Sequence, residues 1–146
     1  MLFLSIHPKH VQAIVEGRKT VELRKRKPSI EPGSMVVIYA TTPKCEVVAV
    51  AAVGAIQVGK PSEIWRECGE LAAVSARVFD DYFYGAEKAV GIHLSNIGVF
   101  KTPVSLPELR RRWDGFQPPQ QYRYLNPSQQ KFITTREIKR GGCLTS

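Results

Sequence analysis

No run of the chain approaches the ~18 consecutive apolar residues of a membrane-spanning helix, so no membrane partner is expected. Cysteine is scarce: Cys45, Cys68 and Cys143 lie far apart and match no zinc or redox spacing. Structural disulfides are therefore not expected, and a reducing compartment suits the composition. Met1-Leu2-Phe3-Leu4-Ser5-Ile6 is too short for the apolar core of an export signal and lacks a basic leader, so a cytoplasmic protein is expected. A Gly-rich phosphate loop, a Ser-His-Asp order and metal-ligand spacings are also missing. No metal and no other cofactor is expected. Internal repeats and low-complexity tracts are absent, which excludes solenoid architectures.

What is present is ordinary in amount and uneven in placement. The 146 residues are 43% hydrophobic and 23% charged, which suits one domain spanning 1–146 with a real core. The net charge of +8 is concentrated at the two ends. Residues 1–43 carry 7 Lys/Arg against 3 Asp/Glu, residues 44–98 carry 5 against 7, and residues 99–146 carry 9 against 3. If the ends meet in space they make one positive face, the footprint expected for a phosphate backbone. A generally basic protein with no such partner has the same composition.

Periodicity predicts the elements. Residues 1–6 read as a buried strand, and Pro8 starts a helix with Val11, Ile14 and Val15 on one face, ended by Gly17. Residues 19–26 alternate, with Val21 and Leu23 on one face and Thr20, Glu22, Arg24 and Arg26 on the other. A turn at 28–33 leads to an apolar strand over 35–40, and a second apolar strand over 46–56 has the composition of a central strand. Helices are predicted from Pro61 to near Gly69 and over 75–82, then a strand over 89–97 and a basic helix over 107–113. Residues 118–125 read as a loop ending in an aromatic-basic strip. Asn126-Pro127 caps a last helix through Phe132, and the chain from Arg136 is expected to fray. Strands interspersed with short helices make the class α+β.

One segment concentrates polar chemistry. Lys19 falls at the helix–strand junction, and Thr20, Glu22 and Arg24 share a strand face, about 7 Å between alternate residues. Lys19, Glu22 and Arg24 can surround one small ligand group. A half-exposed edge strand carrying weak surface ion pairs has the same pattern.

Gly17-Arg18-Lys19-Thr20-Val21-Glu22-Leu23-Arg24 resembles the G-x-K-x-x-E-x-R signature of ASCH (activating signal cointegrator homology) domains. The strand and helix before it and the two apolar strands after it stand where that family has them. The resemblance covers about residues 3–105, with 106–146 as a basic C-terminal extension. It implies a PUA-like small mixed β-barrel with short flanking helices and a cleft lined by the motif. It also implies RNA or a nucleotide-like ligand as partner, and leaves protein partners open. Lys19 and Arg24 would hold a phosphate or base edge and Glu22 would accept from a base. Thr20, Arg26, Tyr39, Arg110, Arg111, Tyr122 and Arg123 are further candidates for binding, and Trp65 and Tyr124 for stacking.

Two kinds of activity follow from the resemblance. Some small ASCH-like proteins hydrolyse the acetyl amide of acetylcytidine with a lysine that matches Lys19 and a threonine three residues later. Here that position is Glu22, so the nucleophile is missing. Others are associated with RNA cleavage, in which Lys19 would stabilise the transition-state oxyanion and Glu22 or a histidine would act as base. His7, His10 and His93 are the available histidines, and each also reads as an ordinary helix-end or strand residue. The expectations are thus an RNA-binding ASCH domain with a cationic cleft, or a small hydrolase using Lys19 and Glu22. A protein-interaction domain with an apolar patch at Trp113, Phe116 and Leu125 is the third reading.

Overall fold

The chain runs β1 (Leu2–Ile6), α1 (Pro8–Val15), β2 (Val21–Arg24), β3 (Met35–Ala40), β4 (Glu46–Gly59), α2 (Pro61–Cys68), α3 (Ala76–Tyr82), β5 (Ala89–Ser105), α4 (Leu106–Arg112), β6 (Tyr122–Tyr124) and α5 (Pro127–Thr134). The structure is a computed structural model that describes residues 1–139. All six strands join one mixed sheet in the order β2-β5-β4-β3-β1-β6. Among the described residues only the β1–β3 pairing is parallel.

The valine- and alanine-rich β4 sits inside the sheet, as its double-sided apolarity requires. Its pairing with β5 shifts register three times, at Val47/Ala49, Val50/Ala52 and Val53/Ile56. Bulges of this kind increase local twist and bend the strand pair, and the sheet curls into a half-barrel. Alternation along β1 then separates two cores. Leu2, Leu4 and Ile6 enter the inner one with Val36, Ile38, Ile92 and Ile14 of α1. Phe3 enters the other, where Tyr39, Phe100, Leu109, Phe116 and Ile133 pack under α4 and α5. A third cluster joins Val21 to Ile64, Cys68, Phe79 and Phe83 beneath α2 and α3.

The structure departs from the sequence reading in four places. β4 continues to Gly59 and β5 to Ser105, beyond the expected ends. Tyr122–Tyr124, expected as loop, is a strand paired with Leu2–Leu4 of β1. Three residues hold too little periodicity to announce a strand; the exposed edge of β1 recruits them. Trp113, Phe116 and Leu125 belong to the second core, so they form no exposed apolar patch. Arg136–Lys139 does not fray: Lys101 N–H donates to the Glu137 carbonyl at 2.9 Å and Lys139 N–H to the Val99 carbonyl at 2.7 Å. The rest of that expectation, and Cys143, lie outside the described residues.

The edge strands β2 and β6 are not ladder partners, yet they face each other across the mouth of the half-barrel. Side chains span the gap. Arg24 of β2 donates to the Gln121 carbonyl (3.2 Å), to Gln121 Oε1 (3.1 Å) and to the Ser5 carbonyl (3.0 Å). The Tyr124 hydroxyl accepts from Ser29 N–H at 2.7 Å.

Candidate functional site

The end of α1 places the key lysine. Gly17 takes a left-handed conformation (φ 82°), and the N–H groups of Arg18 and Lys19 return to the Ala13 carbonyl at 3.0 and 3.1 Å. This tight C-terminal turn brings Lys19 into the interior. Thr20 then commits both backbone groups, its N–H to Leu71 and its carbonyl to Leu94 N–H, each at 2.8 Å. From there β2 pairs with β5, putting Glu22 opposite Ile92 and Arg24 opposite Val90. Ile92 and Val90 belong to the inner core, so the polar face of β2 points into the half-barrel.

The result is a buried ionic cluster. Lys19, Glu22 and Arg24 are only 2%, 6% and 5% exposed. Glu22 Oε2 accepts from Arg24 Nη2 at 2.6 Å, and its other oxygen lies 3.7 Å from Lys19 Nζ. Lys19 Nζ also donates to the Ala72 carbonyl at 2.7 Å. The reading of Glu22 and Arg24 as a half-exposed face is therefore corrected: curling of the sheet folds that face inward. Two cations share one carboxylate, so the cluster keeps one positive charge in excess. Burial lowers the Lys19 pKa from its ordinary value; the adjacent Glu22 opposes this and Arg24 adds to it. Arg24 Nε–H is buried and finds no acceptor among the described residues. An anion would satisfy both the surplus charge and the unused donor.

This cluster floors a cleft of about 240 Å³. One wall is apolar: Val74, Val78 and Tyr82 recur every fourth residue on one face of α3 and its lead-in, with Phe79 beside them. The opposite rim is Ser5, Ile6, His7 and His10, with Gln120 and Gln121 beside Arg24. Burial and the Lys19 ammonium push the His10 imidazole below its ordinary 6.5, with Glu22 pulling the other way and His7 and Lys9 adding to the lowering. His10 thus favours its neutral form more than a solvent-exposed imidazole does. His7 caps α1, its Nδ1 accepting from Lys9 N–H at 3.1 Å. Burial raises the Tyr82 phenol, with Arg24 opposing and Glu22 adding to the rise, so its hydroxyl stays protonated.

A second cavity of about 450 Å³ adjoins the first and shares Arg24, Tyr82 and Gln121 with it. Lys25, Arg26 and Tyr122 complete its lining. Of the residues singled out from sequence, Lys19, Glu22, Arg24, His7 and His10 thus meet in one cleft, with Arg26 and Tyr122 next door. The others lie elsewhere. Tyr39 is buried in the second core against Phe3, where burial and Cys45 push its phenol up to about 12. Arg110 donates to the Phe116 carbonyl, Arg123 lies over the Phe116 ring, and Arg111 is exposed on α4. Trp65 packs on Phe79, and His93 bonds Gln57 at 2.6 Å. The two ends of the chain do meet, through β6 and Gln121, but among the described residues no arginine from the C-terminal third lines either cavity. No group of three or more His, Cys, Asp or Glu among the described residues could hold a metal ion. Ser5, Val74, Val78, Tyr82 and Gln121 escaped the sequence reading because they come from three distant segments. The fourfold spacing of Val74, Val78 and Tyr82 was the one visible signal.

A curled mixed sheet with a cleft lined by the motif residues is what the resemblance to ASCH domains implies. The family model for the ASCH domain matches residues 4–118, and the chain belongs to that family. An ASCH domain-containing ribonuclease from Zymomonas mobilis is 35% identical over 132 residues, covering 90% of this chain and 88% of that protein. The crystal structure of ASCH from Zymomonas mobilis superposes with a TM-score of 0.87 at 34% identity, covering 93% of this chain and 95% of that one. The N-terminal domain of Staphylothermus marinus McrB shares the fold alone, with a TM-score of 0.63 at 11% identity over 93% of each chain.

Proposed function

We propose that the cleft binds single-stranded RNA and cleaves it, with the ribose 2′-hydroxyl as internal nucleophile. The observation that carries this is the excess cation at the cleft floor, faced by an apolar wall and by His10, whose neutral form burial favours. A phosphodiester matches the floor and a nucleobase the wall. A base can lie on that wall only when it is out of a duplex, which favours single strands. The name of the Zymomonas mobilis relative supports the reaction class.

In this reading His10 takes the proton from the 2′-hydroxyl as that oxygen attacks phosphorus. Lys19 and Arg24 face the charge that develops on the phosphoryl oxygens. The bond from phosphorus to the 5′-oxygen breaks, and that oxygen leaves with a proton from Lys19. The products are a 2′,3′-cyclic phosphate and a 5′-hydroxyl; His10 returns its proton to solvent and Lys19 regains one. Glu22 holds both cations in place, with one oxygen on Arg24 and the other beside Lys19. The acetyl-amide alternative lacks its hydroxyl, since Glu22 stands at that position and the Ser5 hydroxyl donates to the Pro119 carbonyl at 2.6 Å.

The test is a labelled RNA oligonucleotide beside one carrying a single 2′-deoxyribose. Cleavage is expected at every sensitive linkage except the one after the deoxyribose, with cyclic phosphate ends. Cutting after the deoxyribose overturns the mechanism. Binding without any cutting reduces the protein to an RNA-binding module.

A further inference from the structure

We infer that the second cavity is a subsite for the nucleotide next to the one in the cleft, its base on Tyr122 and its phosphate on Arg26 and Lys25. This deepens the RNA reading and rests on it. At about 450 Å³ the cavity falls within the ~300–1,000 Å³ typical of small-ligand pockets. Its contact with the cleft through Arg24, Tyr82 and Gln121 lets one strand run through both.

The chemistry of the lining is that of a single-strand track. Three of its six residues, Arg24, Lys25 and Arg26, are cationic, and two, Tyr82 and Tyr122, are aromatic. Tyr122 is a fixed platform. It packs against the inner core and sits edge-on to Tyr124, ring centroids 5.9 Å apart. Tyr124 is in turn tied through its hydroxyl to Ser29 on the far side of the mouth. Tyr82 has Lys25 Nζ above its ring at 4.9 Å, so Lys25 is held at the wall between the cavities. Alternating cation and ring along a groove recognises backbone and bases without demanding a sequence. The subsite makes substrate length, not base identity, the main determinant of affinity.

The experiment uses fluorescein-labelled 2′-fluoro oligouridylates, which lack the 2′-hydroxyl, at two, three and four nucleotides. Anisotropy titrations are run across a salt series. One added nucleotide is expected to tighten Kd about tenfold through stacking and to steepen the slope of log K against log salt by about 0.7. Arg26→Ala should remove the extra slope and part of the tightening, and Tyr122→Leu should remove the rest of the tightening. Arg26 is exposed, so its variant tests the subsite even if Tyr122→Leu unfolds. A Kd independent of length, or a gain that survives Arg26→Ala undiminished, overturns the subsite. Failure of the two ideas is separable. RNA that is cut with no gain from length removes the subsite alone. A length gain sensitive to Arg26, with no cutting of ordinary RNA, removes the cleavage reaction and keeps the track.

Discussion

At the scale of single residues, Lys19 and Glu22 are neighbours with opposite energetic roles. Glu22 is the one carboxylate between two buried cations. Glu22→Gln leaves both unpaired, and a loss of about 3–5 kcal/mol is expected, visible as a lower urea midpoint. Lys19 is the surplus charge, and its lowered pKa records the cost of burying it. Lys19→Met removes that charge and keeps the volume. Its stability is expected within about 1 kcal/mol of the parent, or above it, while RNA cleavage falls at least ~100-fold. A Lys19→Met protein as unstable as Glu22→Gln would show that the cluster is structural. His10 adds a pH signature. Its folded pKa lies below 6.5, so the unfolded chain takes up the proton first as pH falls. Its contribution to stability is complete above pH 6.5 and is lost between 6.5 and the lower folded value. Activity should rise with pH through that same folded value. His10→Ala is expected to flatten this limb of kcat/KM against pH.

At the scale of elements, α3 supplies what β2 lacks. The strand brings charge to the cleft and the helix brings an apolar face. Val78 lies in the middle of that face and is 50% exposed, so it contributes little to the core. Val78→Asp is expected to leave Tm nearly unchanged, since exposed substitutions shift stability by about 0.5 kcal/mol or less. KM for single-stranded RNA should rise about tenfold, because stacking on such a wall is worth ~1–3 kcal/mol and the new carboxylate repels phosphate. An unchanged KM would remove α3 from the substrate path. The motif residues 17–24 were readable as helix end, junction and strand because each step is local: Gly17 takes the left-handed turn, Lys19 follows it, and alternation sets the faces. Their burial was not readable. Alternation shows that Glu22 and Arg24 share a face but not what lies across from it, and here that is Ser5 and Gln121.

At the scale of the whole molecule, the mouth of the half-barrel is both closure and site. Arg24 joins β2 to the segments on either side of the gap, so a residue at the cleft floor also holds the sheet edges together. Of the lysines and arginines among the described residues, Lys19, Arg24, Lys25 and Arg26 line the two cavities. Contacts to about two or three phosphates are therefore expected. Affinity for single-stranded RNA should fall roughly 25- to 100-fold per tenfold rise in salt, the response of that many neutralised phosphates on a single strand. A much steeper dependence would mean that Arg110, Arg111 and Arg123 also take part.

Residues 17–24 already determined the family resemblance, the turn at Gly17 and the placing of Lys19, Glu22 and Arg24 near one another, since these depend on short-range geometry. The α+β class and most elements followed from periodicity and from caps such as Gly17 and Asn126. Only the tertiary structure decided that the cluster is buried, that α3 walls it and that His10 stands over it. It also set Tyr39 and the C-terminal arginines apart from the cleft. Those outcomes depend on the curl of the sheet and on β6 pairing with β1, which bring together residues from both ends of the chain. Such contacts are selected by the burial of a whole core, and no local pattern in the sequence encodes them.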